Sequence, residues 1–561
     1  MSGRHGREAY YIAGEGMRAL GTQGEARQWI PSGLEESVEF RFSRFVPGLV
    51  GAPNSDDVLA QLAVAMVQKK GQLDNKMPAG YTYLGQFIDH DMTLDPSELD
   101  LATTGVLPLQ SLRSPTLDLD SLYGRGPDVQ PEFYQDDGVK LLVGRPLPVP
   151  GVNPTANGDG YDLPRRGDAA DGRRRTAREA KIPDIRNDEN LAIAQVHAAF
   201  IRFHNKVVDE LVAQSVPSRV LFERAREAVT KHYHWMLRHD YLPRVCTPAV
   251  VNDVYGWGRR VFETNPTSPY ATMPVEFSGA AFRLGHSMIR TGYEWNKIFN
   301  SKPGALDSGH LFRLFRFCGT SGTLSPTLPK PHPPGSEEDL RELEAAVNTL
   351  PALPSNWVAD MLRLFDFSRF KADNPAFVPP KEDFNFAMKI DSGMTDPLSL
   401  LPIGSFGATE APLLKKRNLA FRNLVRGRML GLASGQQLVQ AYKDAGINID
   451  ALNKEQLFDG NGGVKITAAD VPDRNELLKN TPLWFYVLRE AEFHGNKLGD
   501  VGARIVAETF HRAMQTSHHG VVTDPAFKPT LGPGAKSGRF NMEDLLHFAF
   551  DGRVDLLNPH Q

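Results

Sequence analysis

Between Tyr81 and Pro96 the chain reads YTYLGQFIDHDMTLDP, and the run from Gln86 to Asp91 holds an amide, two carboxylates and an imidazole. On a helix, Gln86 and His90 stand four apart and share a face, with Asp89 on its edge and Asp91 pointing elsewhere. A histidine near its ordinary pKa can take and return a proton around neutral pH. Gln86, Asp89 and His90 can therefore face one buried ligand while Asp91 serves another. Taken alone, the stretch also suits a solvated helix end with a capping acid.

Further clusters carry chemistry of their own. Arg186-Asn187-Asp188-Glu189 stands at the mouth of a long apolar-periodic stretch. Acids at a helix start suit the helix dipole, which accounts for Asp188 and Glu189 and leaves Arg186 unexplained. In AFRLGH, Arg283 lies three residues before His286. Asn423-Leu-Val-Arg426 offers an amide and a cation one turn apart, and a metal-bound histidine donates its second ring N–H to such an acceptor. In SPTLDLD, oxygen-bearing Ser114, Thr116, Asp118 and Asp120 recur at alternate positions before Ser121-Leu122-Tyr123-Gly124. In an extended loop they converge on one side, and calcium takes six to eight oxygens, mixing carboxylates with carbonyls.

The elements that must position these groups are mostly helices. Leu59, Leu62, Ala63 and Val67 predict a helix over 56–70, ended by Gly71. Ile193, Val196, Phe200, Phe203, Val207 and Leu211 keep helical spacing over five turns. Further helices are predicted over 220–242, over 418–445 with Gly446 ending it, from Thr481-Pro482 through LWFYVLREAEF, and over 498–514. Residues 101–124 read as extended. Residues 125–180, rich in Gly, Pro, Asp and Arg, read as a surface excursion. Proline clusters at 325–334 and 379–380 read as connecting loops. The expectation is one large, mainly α domain over 51–561, with 1–50 as an arm packed on it.

In this order, and together with Asp240-Tyr241-Leu242-Pro243, the clusters resemble the motifs of the animal-type haem peroxidases of the peroxidase–cyclooxygenase superfamily. The matching positions run from Gly85 to Arg426, and the resemblance is to a bacterial-like member. It implies a helical fold with little β structure, haem b and calcium. It implies His90 as distal base, Arg186 as distal arginine and Gln86 as a holder of distal water or halide. His286 would bind the haem iron, Asn423 would support it, and Arg283 and Arg426 would meet the propionates. Asp89 and Glu189 occupy the positions that form ester bonds to haem in mammalian relatives. Asn190 replaces the methionine that makes a sulfonium bond in the leukocyte member, so that bond cannot form here. Asp91, Ser114, Thr116, Asp118 and Asp120 would hold calcium. Ser114 stands where the family has Thr, Thr116 where an aromatic gives its carbonyl, and Asp120 where it has Ser.

The implied activity is reduction of hydrogen peroxide through a ferryl intermediate, with a small organic donor or a halide restoring the ferric state. A fatty-acid dioxygenase of the same superfamily is the alternative enzyme. Its radical tyrosine sits three residues before the proximal histidine, where this chain has Arg283. Tyr233-His234-Trp235 resembles the dioxygenase motif locally and reads as core packing. A non-catalytic adhesion protein is the alternative outside enzymes, suggested by Arg166-Gly167-Asp168 and opposed by the joint presence of His90, Arg186 and His286.

Bulk properties agree with a soluble globular protein. Of 561 residues, 41% are hydrophobic and 23% charged, and the net charge of −4 gives no bias toward nucleic acid. The only cysteines, Cys246 and Cys318, exclude a disulfide scaffold. There is no apolar run of membrane-spanning length. The start, MSGRHGREAYYIAGEG, has no apolar secretory core. The expectation is a cytoplasmic protein, or one exported by another route.

Overall fold

The computed structural model describes residues 9–13, 16–20, 40–67, 73–94, 105, 111, 113–167, 179–266, 270–303, 309–316, 318, 351–399, 401 and 414–561. The proline cluster at 325–334, Asp168 of the Arg-Gly-Asp tripeptide, and most of the 1–50 arm lie outside them. The architecture is mainly helical. Strands among the described residues form short pairs only, such as Phe42–Ser43 running parallel to Met273–Pro274. Buried apolar side chains form a continuous cluster from Phe42 to Leu557.

Helix α1 covers Asp56–Met66 and begins on Ser55, whose hydroxyl accepts the Val58 N–H. It ends earlier than the predicted Lys70, and 68–72 are not described. Helix α2, Gly80–Met92, carries the distal cluster. Leu84, Phe87, Ile88 and Met92 repeat at three-or-four spacing and are buried, so the apolar stripe turns inward. Helix α3, Leu191–Ala213, starts on Asn190, whose side chain accepts the Ile193 N–H. Phe87 of α2 stacks on Phe200 of α3, with centroids 4.4 Å apart. Helix α4, Ser218–Met236, continues through a π-helical turn, Leu237–Tyr241, into Leu242–Val245. That turn aims Asp240 and Tyr241 at α2. A Cβ on Gly85 would press on the Tyr241 hydroxyl, so the glycine of the distal motif makes room for the second landmark.

The same region holds a clasp between distant parts of the chain. The Tyr81 hydroxyl donates to Asp240 at 2.6 Å and reaches Glu543 at 3.1 Å. Arg244 donates to the other Asp240 oxygen and lies over the Tyr81 ring.

Two sequence expectations are corrected here. The predicted helix over 418–445 is two helices: α5, Leu419–Met429, and Gly435–Asp444. Gly431 takes a left-handed conformation at φ +59°, and Ser434 with Gln437 forms a capping box that starts the second helix. The 125–180 stretch is only in part a surface excursion. Leu141, Ala156, Tyr161 and Leu163 between its turns are buried, and buried Asp162 pairs with Arg165 and accepts the Leu353 N–H. Turn-forming residues set its backbone, while the apolar ones between them anchor it. Helices α6, Leu483–Ala491, and α7, Asp500–Thr516, follow the prediction.

Candidate active site

The distal residues come from α2 and from the 3-10 turn Ile185–Asp188 ahead of α3. Asp184 caps that turn by accepting the Arg186 N–H. His90 Nδ1 lies 2.8 Å from Asn187 Oδ1. Arg186 donates through Nη2 to the His90 carbonyl at 3.0 Å and through Nε and Nη2 to Asp184. The same Asp184 carboxylate receives buried Arg113. Gln86 donates to Glu189 at 3.3 Å and accepts from Asn190 at 3.0 Å. Asp89, on the edge of this face, accepts the Thr93 hydroxyl. Burial, and then the Arg186 guanidinium, hold His90 below its ordinary pKa, so the ring is neutral at pH 7.

His286 lies on the short helix Gly285–Met288, which packs against α2. Burial, followed by Arg283 and Arg422, pushes its pKa down to about 3. A neutral imidazole is the form that binds a metal. Its Nδ1 is 2.7 Å from Nδ2 of Asn423 on α5, and Arg283 donates to Oδ1 of the same amide at 2.8 Å. With the amide turned this way, Nδ1 of His286 accepts and Nε2 carries the proton. A ring that ligates iron through Nε2 needs the reverse, with Nδ1–H donating to Oδ1. Turning the Asn423 amide over would supply it, at the cost of the Arg283 bond to Oδ1. Arg426, one turn beyond Asn423, is half-buried. The negative charge of Glu189 opposes the lowering of the His90 and His286 pKa values, and its carboxylate accepts from Gln86. The donor set would suit haem: a neutral imidazole with its amide, arginines beside it, and a second neutral imidazole on the helix it packs against.

The acidic loop departs from its predicted shape. It is not extended: Leu117 and Leu119 are left-handed, at φ +58° and +60°, and both are fully buried. Asp120 then opens a helical turn, Asp120–Tyr123. The oxygens still gather. Asp91 accepts the N–H groups of Leu119 and Ser121, each at 3.3 Å. Ser114 bonds Thr116, Thr116 bonds Asp118, and Ser517 also donates to Asp118. Both carboxylate oxygens of buried Asp120 have no hydrogen-bond partner among the described residues. Burial raises the Asp91 pKa to about 7. Burial, then the charges of Asp91 and Asp118, hold Asp120 well above its ordinary value. Among the described residues no three acidic, histidine or cysteine side chains are closed to metal-binding distances. Mutually repelling buried carboxylates ringed by hydroxyls are nevertheless what a hard dication would relieve.

Asp184, Asn187 and His197 were not foreseen from sequence. Asn187 donates through Nδ2 to His197 Nδ1 at 2.9 Å. The available signal was adjacency: Asn187 follows the distal arginine, and Asp184 has the N-cap position before it. Tyr233 is core packing, as expected, edge-on to Phe87 and Phe200.

The family model "Animal haem peroxidase" matches residues 109–314. A peroxidase-like protein of Margaritifera margaritifera is 30% identical over 115 residues, which are 20% of this chain. The chain spans only 14% and 12% of the lengths of the two curated relatives it matches. Among solved structures, peroxidase A of Dictyostelium discoideum superposes with TM-score 0.53 at 15% identity, covering 93% of this chain and 94% of that one. A fatty acid alpha-dioxygenase of Arabidopsis thaliana gives TM-score 0.55 at 13% identity, covering 93% and 78%. Residues 109–314 thus match the animal haem peroxidase model, within a chain whose fold is that of peroxidase A and of the fatty acid alpha-dioxygenase.

Proposed function

We propose that the chain binds haem b between His90 and His286 and reduces hydrogen peroxide, drawing electrons from a small organic donor or a halide. The observation that supports this reading is that α2, which carries His90, packs against both the turn bearing Arg186 and the short helix bearing His286, with Arg186 bonded to the His90 carbonyl and Asn423 to His286. Haem, when bound, supplies the redox chemistry, and the protein supplies orientation and electrostatics. His286 would offer a ring nitrogen to the iron, with Asn423 holding the ring. Neutral His90 takes a proton from peroxide and returns it to the departing oxygen as water. The Arg186 guanidinium offsets the negative charge that develops as the O–O bond breaks. Gln86, one turn before His90, orders water or halide above the site. Arg283 and Arg426 would receive the propionates. Asp89 and Glu189 stand where ester bonds to haem would form, and calcium at Asp91 and the 114–120 loop would brace α2 from behind.

The dioxygenase reading lacks its tyrosine, since Arg283 stands three before His286 and Tyr233 is committed to the core. The deciding experiment is reconstitution with haem. A histidine-ligated Soret spectrum and donor-dependent peroxide consumption are expected, and a featureless spectrum would overturn the proposal.

A further inference from the structure

Behind His90 lies a second histidine that the peroxide chemistry does not use. His197, on α3, is fully buried, and so is Asn187 between the two rings. The Asn187 amide presents Oδ1 to His90 Nδ1 at 2.8 Å and Nδ2 to His197 Nδ1 at 2.9 Å. His197 Nε2 is buried and has no hydrogen-bond partner among the described residues.

An amide has one accepting oxygen and one donating nitrogen, and a neutral imidazole has one donor and one acceptor. The three groups therefore have two self-consistent arrangements. In the first, His90 donates from Nδ1–H to Oδ1, and the Asn187 Nδ2–H donates to His197. His90 Nε2 is then bare, and His197 carries its proton on Nε2. In the second the amide is turned over, Nδ2–H donates to His90, and the His90 proton sits on Nε2, where it prevents that nitrogen from accepting another. The structure holds the first arrangement. Both ends are fixed on packed helices: His90 on α2 and His197 on α3, joined by the Phe87–Phe200 stack, with Phe87 also edge-on to the His197 ring. Asn187 is held by its own N–H to the Asp184 carbonyl at 3.0 Å.

We propose that Asn187 and His197 are a positioning pair that fixes His90 as its Nδ1–H tautomer and so leaves Nε2 open to accept a proton. Asn187 acts on His90 directly, and His197 acts by giving the amide nitrogen an acceptor that keeps it facing away from His90. The assignment deepens the peroxidase reading and rests on it for its purpose, but the tautomer itself is a property of the haem-free chain.

The test reads protons on nitrogen. Haem-free protein labelled with 15N-histidine is examined by long-range 1H–15N correlation, with His90 and His197 assigned by signal loss in His90→Gln and His197→Gln. The expected spectrum has His90 protonated at Nδ1 only and His197 at Nε2 only. In Asn187→Asp both side-chain oxygens accept. His90 should keep its Nδ1 proton, while the His197 proton moves from Nε2 to Nδ1, so that its two nitrogen signals trade places. In Asn187→Leu the His90 proton should divide between both nitrogens. A merely space-filling Asn187 would produce neither change. A His90 proton on Nε2 in the unaltered protein overturns the proposal, and so does a His197 proton that stays on Nε2 in Asn187→Asp. If Asn187→Leu does not fold, the aspartate variant, which keeps size and shape, decides alone. Absence of a haem spectrum in the unaltered protein would sink the peroxidase reading without touching the tautomer result.

Discussion

Asp184 is the strap on the distal arginine, and removing it has two separable consequences. Its carboxylate takes Arg186 through Nε and Nη2 at 2.6–3.2 Å and Arg113 at 2.5–3.1 Å, besides the Arg186 backbone N–H. All three side chains are buried, with Asp184 4% and Arg113 1% exposed. Asp184→Ala leaves two buried guanidinium ions without their shared counter-charge, a loss of about 3–5 kcal/mol for a broken buried pair. Unfolding entropy is about 2 cal/mol/K per residue, and over 561 residues each kcal/mol moves Tm by about 1 °C. A fall of about 3–5 °C at neutral pH is therefore expected by calorimetry. Burial alone would raise the Asp184 pKa, but Arg186 and Arg113 outweigh it and hold the carboxyl well below its ordinary value. A depressed folded-state pKa gives stability that is present above the unfolded value, about 4, and is lost as pH falls through the folded one. The gap in Tm between the parent and Asp184→Asn should accordingly close in acid. In the haem-loaded protein, Asp184→Asn should bind haem normally and react with peroxide more slowly, because Arg186 is no longer held against the His90 carbonyl. A neutral-pH Tm within about 1 °C of the parent for Asp184→Ala, or a gap for Asp184→Asn that persists in acid, would refute this reasoning.

Other outcomes follow from the same geometry. His286→Ala should lose stable haem binding, read as loss of the Soret band on reconstitution; an unchanged histidine-ligated spectrum would remove His286 from the iron. Asp120→Asn should raise the Tm of chelator-treated protein, by relieving buried charge repulsion, and shrink the gain on adding calcium; a parent whose Tm ignores calcium would reduce the loop to an acidic turn. Burial raises the Glu490 pKa to about 8 against opposing N–H donors from Val501 and Gly502. A raised acid pKa means that stability is greatest below the unfolded value and falls as pH rises toward 8. Glu490→Gln should flatten that decline between pH 5 and 8, about 1 kcal/mol or more of it, in denaturant titrations. After a small peroxide dose, Asp89→Ala and Glu189→Ala should each lose one haem–protein ester by denaturing chromatography with mass detection; haem that always elutes free would sink the ester assignment alone.

The site was legible wherever chemistry demands a residue type at a fixed spacing. Gln86 and His90 at one helical turn, Arg283 before His286, and Asn423 before Arg426 are all local patterns; in the structure Gln86 and His90 share α2, and Arg283 and His286 both meet Asn423. Asp184, Asn187 and His197 were hidden because their meaning depends on approach across 97 residues, from His90 to Asn187. The acidic loop misled for another reason. Alternating polar and apolar residues imitate a strand, and nothing in a leucine announces the left-handed backbone found at Leu117 and Leu119. The break after Met429 was readable, since Ser434-Gly-Gln-Gln437 is a capping-box signature, but the apolar periodicity on either side ran through it.

The clasp that seals α2 has a timetable. Tyr81 finds its partners Asp240 and Glu543 only 159 and 462 residues later. At about 5–20 residues per second of synthesis, Asp240 leaves the ribosome about 8–32 s after Tyr81, and Glu543 about 23–92 s after it. His286 waits a further interval of its own, because Asn423 lies 137 residues downstream, or about 7–27 s. Throughout that time the polar clasp at the start of α2 stays open, although the apolar stripe of α2 already has Phe200 to pack on. Haem offered to the emerging chain would meet a histidine without its amide. For the proposed haem protein, haem supplied after synthesis is therefore expected to load as fully as haem supplied during it, as translation in vitro with early or late haem addition would read.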